Sequence, residues 1–225
     1  MYIGRIMHTD LITIKPDASL VEAKELVERK KIDHLLVVDD KDKLVGLISD
    51  RDLKQYWASP ATTLASHELI YLLEKITVDS IMVETVVTVS VDTTIERAAH
   101  IMQTNNFNSL PVMDQGELVG IITSTDVMYV LLEAIGMHKE SVRIGILVKD
   151  RVGQMAEVAI ILRDQQINIQ SLVTWPVRKH PGVHQIVIRV SSDDGAKAVV
   201  ALNKNGYKVL THYVKDLKPY LPHST

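Results

Sequence analysis

The chain has 225 residues, 46% of them hydrophobic and 24% charged, a formal net charge of −3 and no cysteine. This composition is typical of a globular protein of one or two domains; it argues against nucleic acid or an anionic membrane as a partner, and it excludes disulfides and cysteine nucleophiles. The first residues lack the apolar core of a signal peptide and no run reaches the ~18 apolar residues of a membrane span, so we expect a soluble, cytoplasmic protein.

The first half of the chain contains an internal repeat. Residues 6–27 (IMHTDLITIKPDASLVEAKELV) align with residues 81–102 (IMVETVVTVSVDTTIERAAHIM), and the match continues from LVGLISDRD to LVGIITSTD. Met7 and Met82 occupy equivalent positions, as do Gly46 and Gly120. One copy alone would bury too little surface to be stable, so we expect the two copies to pack with pseudo-twofold symmetry.

Each copy predicts the same order of elements: strand, helix, strand, strand, helix. The first helix follows Ser19 in copy one and Thr93 in copy two, and a glutamate three residues later completes the pattern of a capping box in both. A further helix is predicted between the copies. Pro60 precedes it, and its apolar stripe consists of Leu69, Leu72, Leu73 and Ile76.

Each copy places a hydroxyl residue at the end of its last strand and an aspartate three residues later, at the start of a helix. The pairs are Ser49 with Asp52 and Thr123 with Asp126. Such a carboxylate can accept hydrogen bonds from the vicinal diol of a ribose, while the hydroxyl and nearby backbone N–H groups meet a phosphate. The same residues can equally serve as helix caps, and recurrence in both copies does not separate the two interpretations.

The phrases GLISDRDL and GIITSTDV, with LLVVDD, LPVMDQ and the two IM pairs, resemble a tandem pair of cystathionine-β-synthase (CBS) motifs, the Bateman module, over about residues 1–135. The resemblance implies a cleft for an adenosine nucleotide or S-adenosylmethionine, with no metal beyond nucleotide-bound Mg²⁺. It assigns the ribose and phosphate to the two hydroxyl–aspartate pairs. It also implies an adenine pocket lined by Thr13, Ile14, Thr88 and Val89. His34 and Ser109, each at the start of a strand, are expected to face the ligand, and Arg51 is expected to contact a phosphate. Because Arg51 corresponds to Thr125 and Leu36 to Pro111, we expect two unequal sites.

The C-terminal third predicts the order β-α-β-β-α-β, which is ferredoxin-like. Residues 141–215, above all VKDRVGQMAEVAIILRDQQINI, resemble an ACT domain. That resemblance implies an effector, often an amino acid, and nominates Asp150, Gly153, Gln154, Asn168 and Ile169. In the alternative interpretation Gly153 only forms a turn, Asn168 only opens a strand, and the domain serves for dimerisation.

The predicted fold class is therefore α/β (α+β), a pseudo-twofold CBS pair at 1–60 and 61–137 followed by an ACT domain at 138–225. No catalytic motif such as GxSxG, GxxxxGK or HExxH is present. We expect a non-enzymatic regulatory sensor that forms a homodimer and acts on an unidentified protein. The module order resembles the AcuB acetoin-utilisation family of Gram-positive bacteria, which implies a link to acetoin or acetate metabolism. A dimerisation scaffold with vestigial clefts is the alternative, and an enzyme of unrecognised type remains a third hypothesis.

Overall fold

The computed structural model describes residues 1–57, 66–137 and 140–222. The chain forms two compact units, Met1–Met128 and Tyr129–Thr225. The break expected at Pro60 and the domain boundaries expected at residues 60 and 138 lie outside the described residues and stay predictions. Among the helices of the described residues, none has the length and apolar character needed to cross a membrane.

The first copy of the repeat folds into a three-stranded sheet and two helices. Strand β1 runs parallel to β2, which lies in the centre, and β3 is antiparallel to β2. The elements are β1 (Thr13–Ile14), α1 (Leu20–Lys30), β2 (His34–Val38), β3 (Leu44–Ser49) and α2 (Asp50–Tyr56).

Helix α1 has the predicted capping box at its start. The Ser19 side chain accepts from the N–H of Glu22, and the Glu22 carboxylate accepts from the N–H of Ser19 at 2.9 Å. The helix buries Leu20, Ala23 and Val27 against the sheet, and it ends at Lys31 in the left-handed conformation. Satisfied end groups and one apolar stripe account for both its bounds and its packing.

The connecting helix α3 (Ser66–Leu73) belongs to the core of copy one. Leu73 is 2% exposed, and Leu69 and Ile76 pack against the same cluster. The prediction for Leu72 is wrong: it lies at the edge of the apolar stripe and is 49% exposed. Trp57 also packs against this core, and Lys24 Nζ lies 5.0 Å from its ring centre.

The second copy repeats the topology, with β5 between a parallel β4 and an antiparallel β6. Its first helix is capped by Thr94 and not by Thr93, because Thr94 is the residue equivalent to Ser19. Thr93 instead accepts a hydrogen bond from the N–H of Ser90 in the preceding turn. Three residues after Thr94 comes Arg97, so copy two has no capping box. The elements are β4 (Val89–Ser90), α4 (Ile95–Asn105), β5 (Ser109–Asp114), β6 (Glu117–Thr123) and α5 (Ser124–Ala134).

The two copies exchange their leading segments. Val83, near the start of copy two, pairs with Leu47 in β3 of copy one, while His8, near the start of copy one, pairs with Ile121 in β6 of copy two. Each segment also packs a methionine side chain against a glycine of the other copy. A Cβ at Gly46 would lie 2.3 Å from Met82 Sδ, and one at Gly120 would lie 2.4 Å from Met7 Sδ. The repeated methionine and glycine therefore hold the copies together, and the expected pseudo-twofold packing is confirmed.

The second unit has the predicted ferredoxin-like topology, an antiparallel sheet in the order β10-β7-β9-β8 with two helices. Its core lies between sheet and helices and includes Ile144, Ile146, Val158, Leu162 and Leu202. The elements are β7 (Ser141–Lys149), α6 (Gln154–Asp164), β8 (Ser171–Pro176), β9 (Val183–Ser191), α7 (Gly195–Lys204) and β10 (Val209–Leu210). Short 3₁₀ helices cover Ile3–Arg5, Val78–Ser80 and Lys218–Tyr220.

Candidate ligand-binding site

A cavity of about 760 Å³ lies in the first unit, and both copies of the repeat line it. Strand pairing explains why the same positions of both copies meet there. His34 is opposite Ser49 in β2 and β3, and Ser109 is opposite Thr123 in β5 and β6. At each of these pairs one strand starts, its neighbour ends and a helix begins. The wall consists of Asp33, His34, Leu47, Ser49, Asp50, Arg51, Asp52, Lys54, Val83, Asn106, Phe107, Asn108, Ser109, Thr123, Ser124 and Thr125.

The two hydroxyl–aspartate pairs form reciprocal helix caps. Asp52 Oδ2 accepts from the Ser49 N–H at 2.8 Å and from the Ser49 hydroxyl at 2.6 Å, and the Asp52 N–H donates to the Ser49 oxygen at 3.2 Å. Thr123 and Asp126 make the same three contacts at 2.8, 2.7 and 3.3 Å. The capping interpretation therefore holds, but the cap uses only one oxygen of each carboxylate.

The second carboxylate oxygen differs between the copies. Asp52 lines the cavity, and within the described part of the chain no donor contacts its Oδ1. Oδ1 of Asp126 lies 2.9 Å from His8 Nε2, and Asp126 is not part of the cavity wall. Burial raises the pKa of Asp126, but the hydrogen bonds from Thr123 and His8 outweigh burial and hold that pKa below its ordinary value.

Ser109 and His34 are equivalent positions in the two copies, and each lines the cavity from the first residue of its strand. Ser109 is 4% exposed, and its hydroxyl has no hydrogen-bond partner among the described residues. A buried hydroxyl without a partner is costly, and this one is enclosed by protein atoms at the edge of the cavity wall. Burial lowers the pKa of His34, and Arg51 acts in the same direction, against Asp33 and Asp52, which raise it.

The charges of the wall do not form a uniformly positive pocket. Asp33, Asp50 and Asp52 are accompanied by Arg51 and Lys54, and Lys54 pairs with Asp50. Arg51 is exposed and makes no ion pair with any described residue. It is therefore the cation best placed to meet a ligand phosphate.

The predicted adenine-pocket residues do not line this cavity. Thr13 and Ile14 lie in β1, paired with Leu36 and Val37, and Val89 opens β4 opposite Val112. Thr88 precedes β4 and is exposed, whereas Val89 is buried. Their role in binding stays a prediction.

Sequence reasoning missed several residues of the wall. Val83 enters because its segment pairs with β3 of the other copy, and Phe107 is an exposed ring between α4 and β5. Asp33 and Asn108 precede β2 and β5 at equivalent positions. The repeat alignment could have identified Asp33 and Asn108 as neighbours of His34 and Ser109, but no local pattern marks Val83.

The second unit separates the residues nominated there into two places. Asp150, Gly153 and Gln154 line a cavity of about 320 Å³, together with Thr174, whose hydroxyl is buried without a partner among the described residues. Asn168 and Ile169 line a different groove, of about 450 Å³, after the other end of α6.

Local structure supplies an ordinary role for the residues at the start of α6. Gly153 caps the helix with φ of +85°, a conformation that favours glycine, and Gln154 donates to the Tyr207 hydroxyl at 2.8 Å. Asp150 lies 3.6 Å from His184. These contacts fit the interpretation of Gly153 as a turn residue. The Thr174 hydroxyl, in contrast, has no hydrogen-bond partner among the described residues. Among the described residues, no group of three or more His, Asp or Glu side chains is arranged to hold a metal ion.

Comparison with known families matches residues 3–59 and 78–133 to the CBS domain and residues 142–205 to the ACT domain. A CBS domain-containing protein of Dictyostelium discoideum is 31% identical over 134 residues, which are 59% of this chain and 92% of that protein. A homoserine O-acetyltransferase of Methanohalobium evestigatum is 34% identical over 133 residues, 59% of this chain and 24% of the enzyme. The chain thus spans about a quarter of that enzyme's length.

Two solved structures align with the same part of the chain. CBSX2 of Arabidopsis thaliana, crystallised in complex with AMP, is 33% identical with a TM-score of 0.48, over 59% of this chain and 96% of that one. AcuB of Vibrio cholerae, named as an acetoin utilization protein, is 27% identical with a TM-score of 0.49, over 59% of this chain and 91% of that one.

Proposed function

Because the chain belongs to the CBS-domain family, with two CBS motifs followed by an ACT domain, we propose that it is a regulatory sensor that binds an adenosine-containing ligand. The observation that carries the proposal is the cavity of about 760 Å³, which equivalent residues of both copies line, among them Asp52, whose cap leaves one carboxylate oxygen without a donor. Its volume falls within the range of small-molecule sites.

Each polar group of the wall has a counterpart in such a ligand. A ribose diol donates to Asp52 Oδ1 without disturbing the cap, because the cap occupies only Oδ2. Arg51 pairs with a phosphate, and the mixed charge of the wall favours a short phosphate tail or none over a long one. AMP, ADP, ATP, S-adenosylmethionine and cyclic di-AMP are the compounds to compare.

Calorimetric titration of the purified protein with this panel tests the proposal. We expect saturable binding of at least one compound, and a loss of about tenfold or more for 2′-deoxy-AMP relative to AMP, because a hydrogen bond to a charged group is worth ~1.5–3 kcal/mol. Asp52→Ala should lower the affinity by a similar factor.

Asp126→Ala is the matched control for Asp52→Ala. It removes the same cap from the other copy but touches no part of the cavity wall. Equal losses of affinity at the site beside Asp52 in the two variants would point to helix capping alone. Failure of every compound to bind to folded protein would favour the scaffold hypothesis instead.

A second candidate function concerns the ACT domain, for which we propose an amino-acid-like effector in the cavity beside Asp150, Gly153 and Gln154. The buried hydroxyl of Thr174 favours this site, since a ligand can supply its missing partner. A thermal-shift screen of the twenty amino acids tests it. We expect a hit that Thr174→Val removes; no shift with any amino acid would favour a purely structural role.

The module order supports two further parts of the proposal, a homodimer and a link to acetoin or acetate metabolism. Light scattering should give twice the chain mass of 25.2 kDa. A strain lacking this chain should grow normally on glucose but poorly on acetoin, and equal growth would refute the metabolic link.

A further inference from the structure

The two CBS motifs present the same carboxylate in different surroundings. In each, the leading segment of the other copy pairs with the last strand two residues before the hydroxyl of the hydroxyl–aspartate pair. The pairing residue is Val83 at copy one and His8 at copy two, and the repeat alignment makes them equivalent. The backbone around them is alike: the N–H of Val83 donates to Leu47 O at 2.9 Å, and the N–H of His8 donates to Ile121 O at 2.9 Å.

The two aspartates differ in how many of their carboxylate oxygens have a hydrogen-bond partner. Val83 has no polar side-chain atom, so it cannot form a hydrogen bond with Asp52, and both residues line the cavity. His8 Nε2 lies 2.9 Å from Asp126 Oδ1, and with the two Thr123 donors on Oδ2 it engages both oxygens of Asp126. A ligand diol that approached Asp126 would have to displace the imidazole first.

We propose that His8 acts as an internal competitor at the second of two pseudo-equivalent ligand sites, so that an adenosine ligand occupies the Asp52 site in preference to the Asp126 site. This inference rests on the proposed function, because it concerns the binding of the same ligand class. It assigns part of the inequality of the sites to one residue that lies outside both hydroxyl–aspartate motifs.

The size of the effect follows from exposure. The His8 side chain is 60% exposed and that of Asp126 is 21% exposed, so the contact has the strength of a surface pair and not of a buried one. We expect it to weaken binding at the Asp126 site about fivefold, which corresponds to ~1 kcal/mol.

Single-site variants separate the two sites. Asp52→Ala leaves only the Asp126 site, and Asp126→Ala leaves only the Asp52 site. We expect Asp52→Ala/His8→Val to bind AMP about fivefold more tightly than Asp52→Ala alone. Conversely, Asp126→Ala/Val83→His should bind AMP about fivefold more weakly than Asp126→Ala, because histidine then stands where it can reach Asp52.

The paired design distinguishes the possible failures. If the wild type binds AMP but His8→Val leaves the Asp52→Ala protein unchanged, the inference is overturned and the proposed function stands. If no variant and no wild-type protein binds any compound of the panel, the proposed function falls and this inference with it. Misfolding cannot explain the gain in AMP affinity expected from His8→Val. Thermal melting of each variant checks that misfolding does not cause the loss of AMP affinity expected from Val83→His.

Discussion

The contact of Met82 with Gly46 makes a strong prediction about how the two CBS motifs are held together. Gly46 is buried in β3, and a Cβ there would lie 2.3 Å from Met82 Sδ and 2.9 Å from its Cγ. Gly46→Ala therefore forces the methionine to move. Such overpacking costs typically ~1–3 kcal/mol, and the reduced entropy of the unfolded chain offsets ~0.4–1 kcal/mol of it. We expect Gly46→Ala to lower the free energy of unfolding by about 1–2 kcal/mol.

The steric origin of this loss can be isolated with a double-mutant cycle. Met82→Ala alone removes a half-buried side chain and should cost less than the ~2–5 kcal/mol of a fully buried methionine. In Gly46→Ala/Met82→Ala the new methyl group meets no sulfur, so the total loss should be smaller than the sum by about 1–2 kcal/mol. The control is Gly46→Ala/Met7→Ala, whose two residues belong to different contacts and should give additive losses.

Urea unfolding followed by tryptophan fluorescence measures these changes. The chain has two tryptophans, Trp57 in the first unit and Trp175 in the second. In a Trp175→Phe background the signal comes from Trp57, which packs against the core of copy one. A Gly46→Ala protein as stable as its parent would refute the reasoning, and so would equal coupling of Gly46 to Met82 and to Met7.

Three further predictions follow from the caps and the charged groups. Ser19→Ala should lower the free energy of unfolding by ~1 kcal/mol and Thr94→Ala by less, because only Ser19 has a capping box; urea unfolding compares them. The pKa of His34 is lowered in the folded protein, so the unfolded chain binds more protons than the folded one as the pH falls through ~6.5. The stability of the protein should therefore decrease below that pH. In melting curves recorded over a pH series, His34→Asn should show a smaller decrease than the wild type. Arg51→Gln should weaken binding of AMP about fivefold and leave adenosine unchanged in the same calorimetric assay, since only AMP carries the phosphate; equal losses for both would exclude a phosphate contact.

The repeat made most of the fold predictable. In each copy the predicted order of strand, helix, strand, strand and helix is the observed one, because β2, β3, β5 and β6 are short apolar runs bounded by turn residues. The cap of α4 was misplaced by one residue, since Thr93 and Thr94 are both capping residues and a glutamate after Thr93 imitated the box. Only the alignment with Ser19 distinguishes them. Leu72 was misassigned because a stripe of four apolar residues does not say where the neighbouring surface ends.

The candidate site was predictable in its carboxylates and not in what surrounds them. Ser49, Asp52, Thr123 and Asp126 repeat at fixed spacing, so a local pattern exposes them. The contact of His8 with Asp126 joins residues 118 apart in the chain. It depends on an exchange of leading segments between the copies, and that exchange has no signal within either segment.

The geometry also resolves why capping and ligand binding were difficult to separate from sequence. A carboxylate has two oxygens, and in both copies the cap takes Oδ2 alone, so one aspartate can perform both roles at once. The hydrogen bonds of both copies therefore establish the cap without deciding whether the second oxygen is open to a ligand. We infer that this depends on one residue of the opposite copy, which is Val83 at the Asp52 motif and His8, in contact with Asp126, at the other. Two sites with equivalent motifs thus differ through a residue that belongs to neither motif, and exchanging Val83 and His8 should narrow the difference between their affinities.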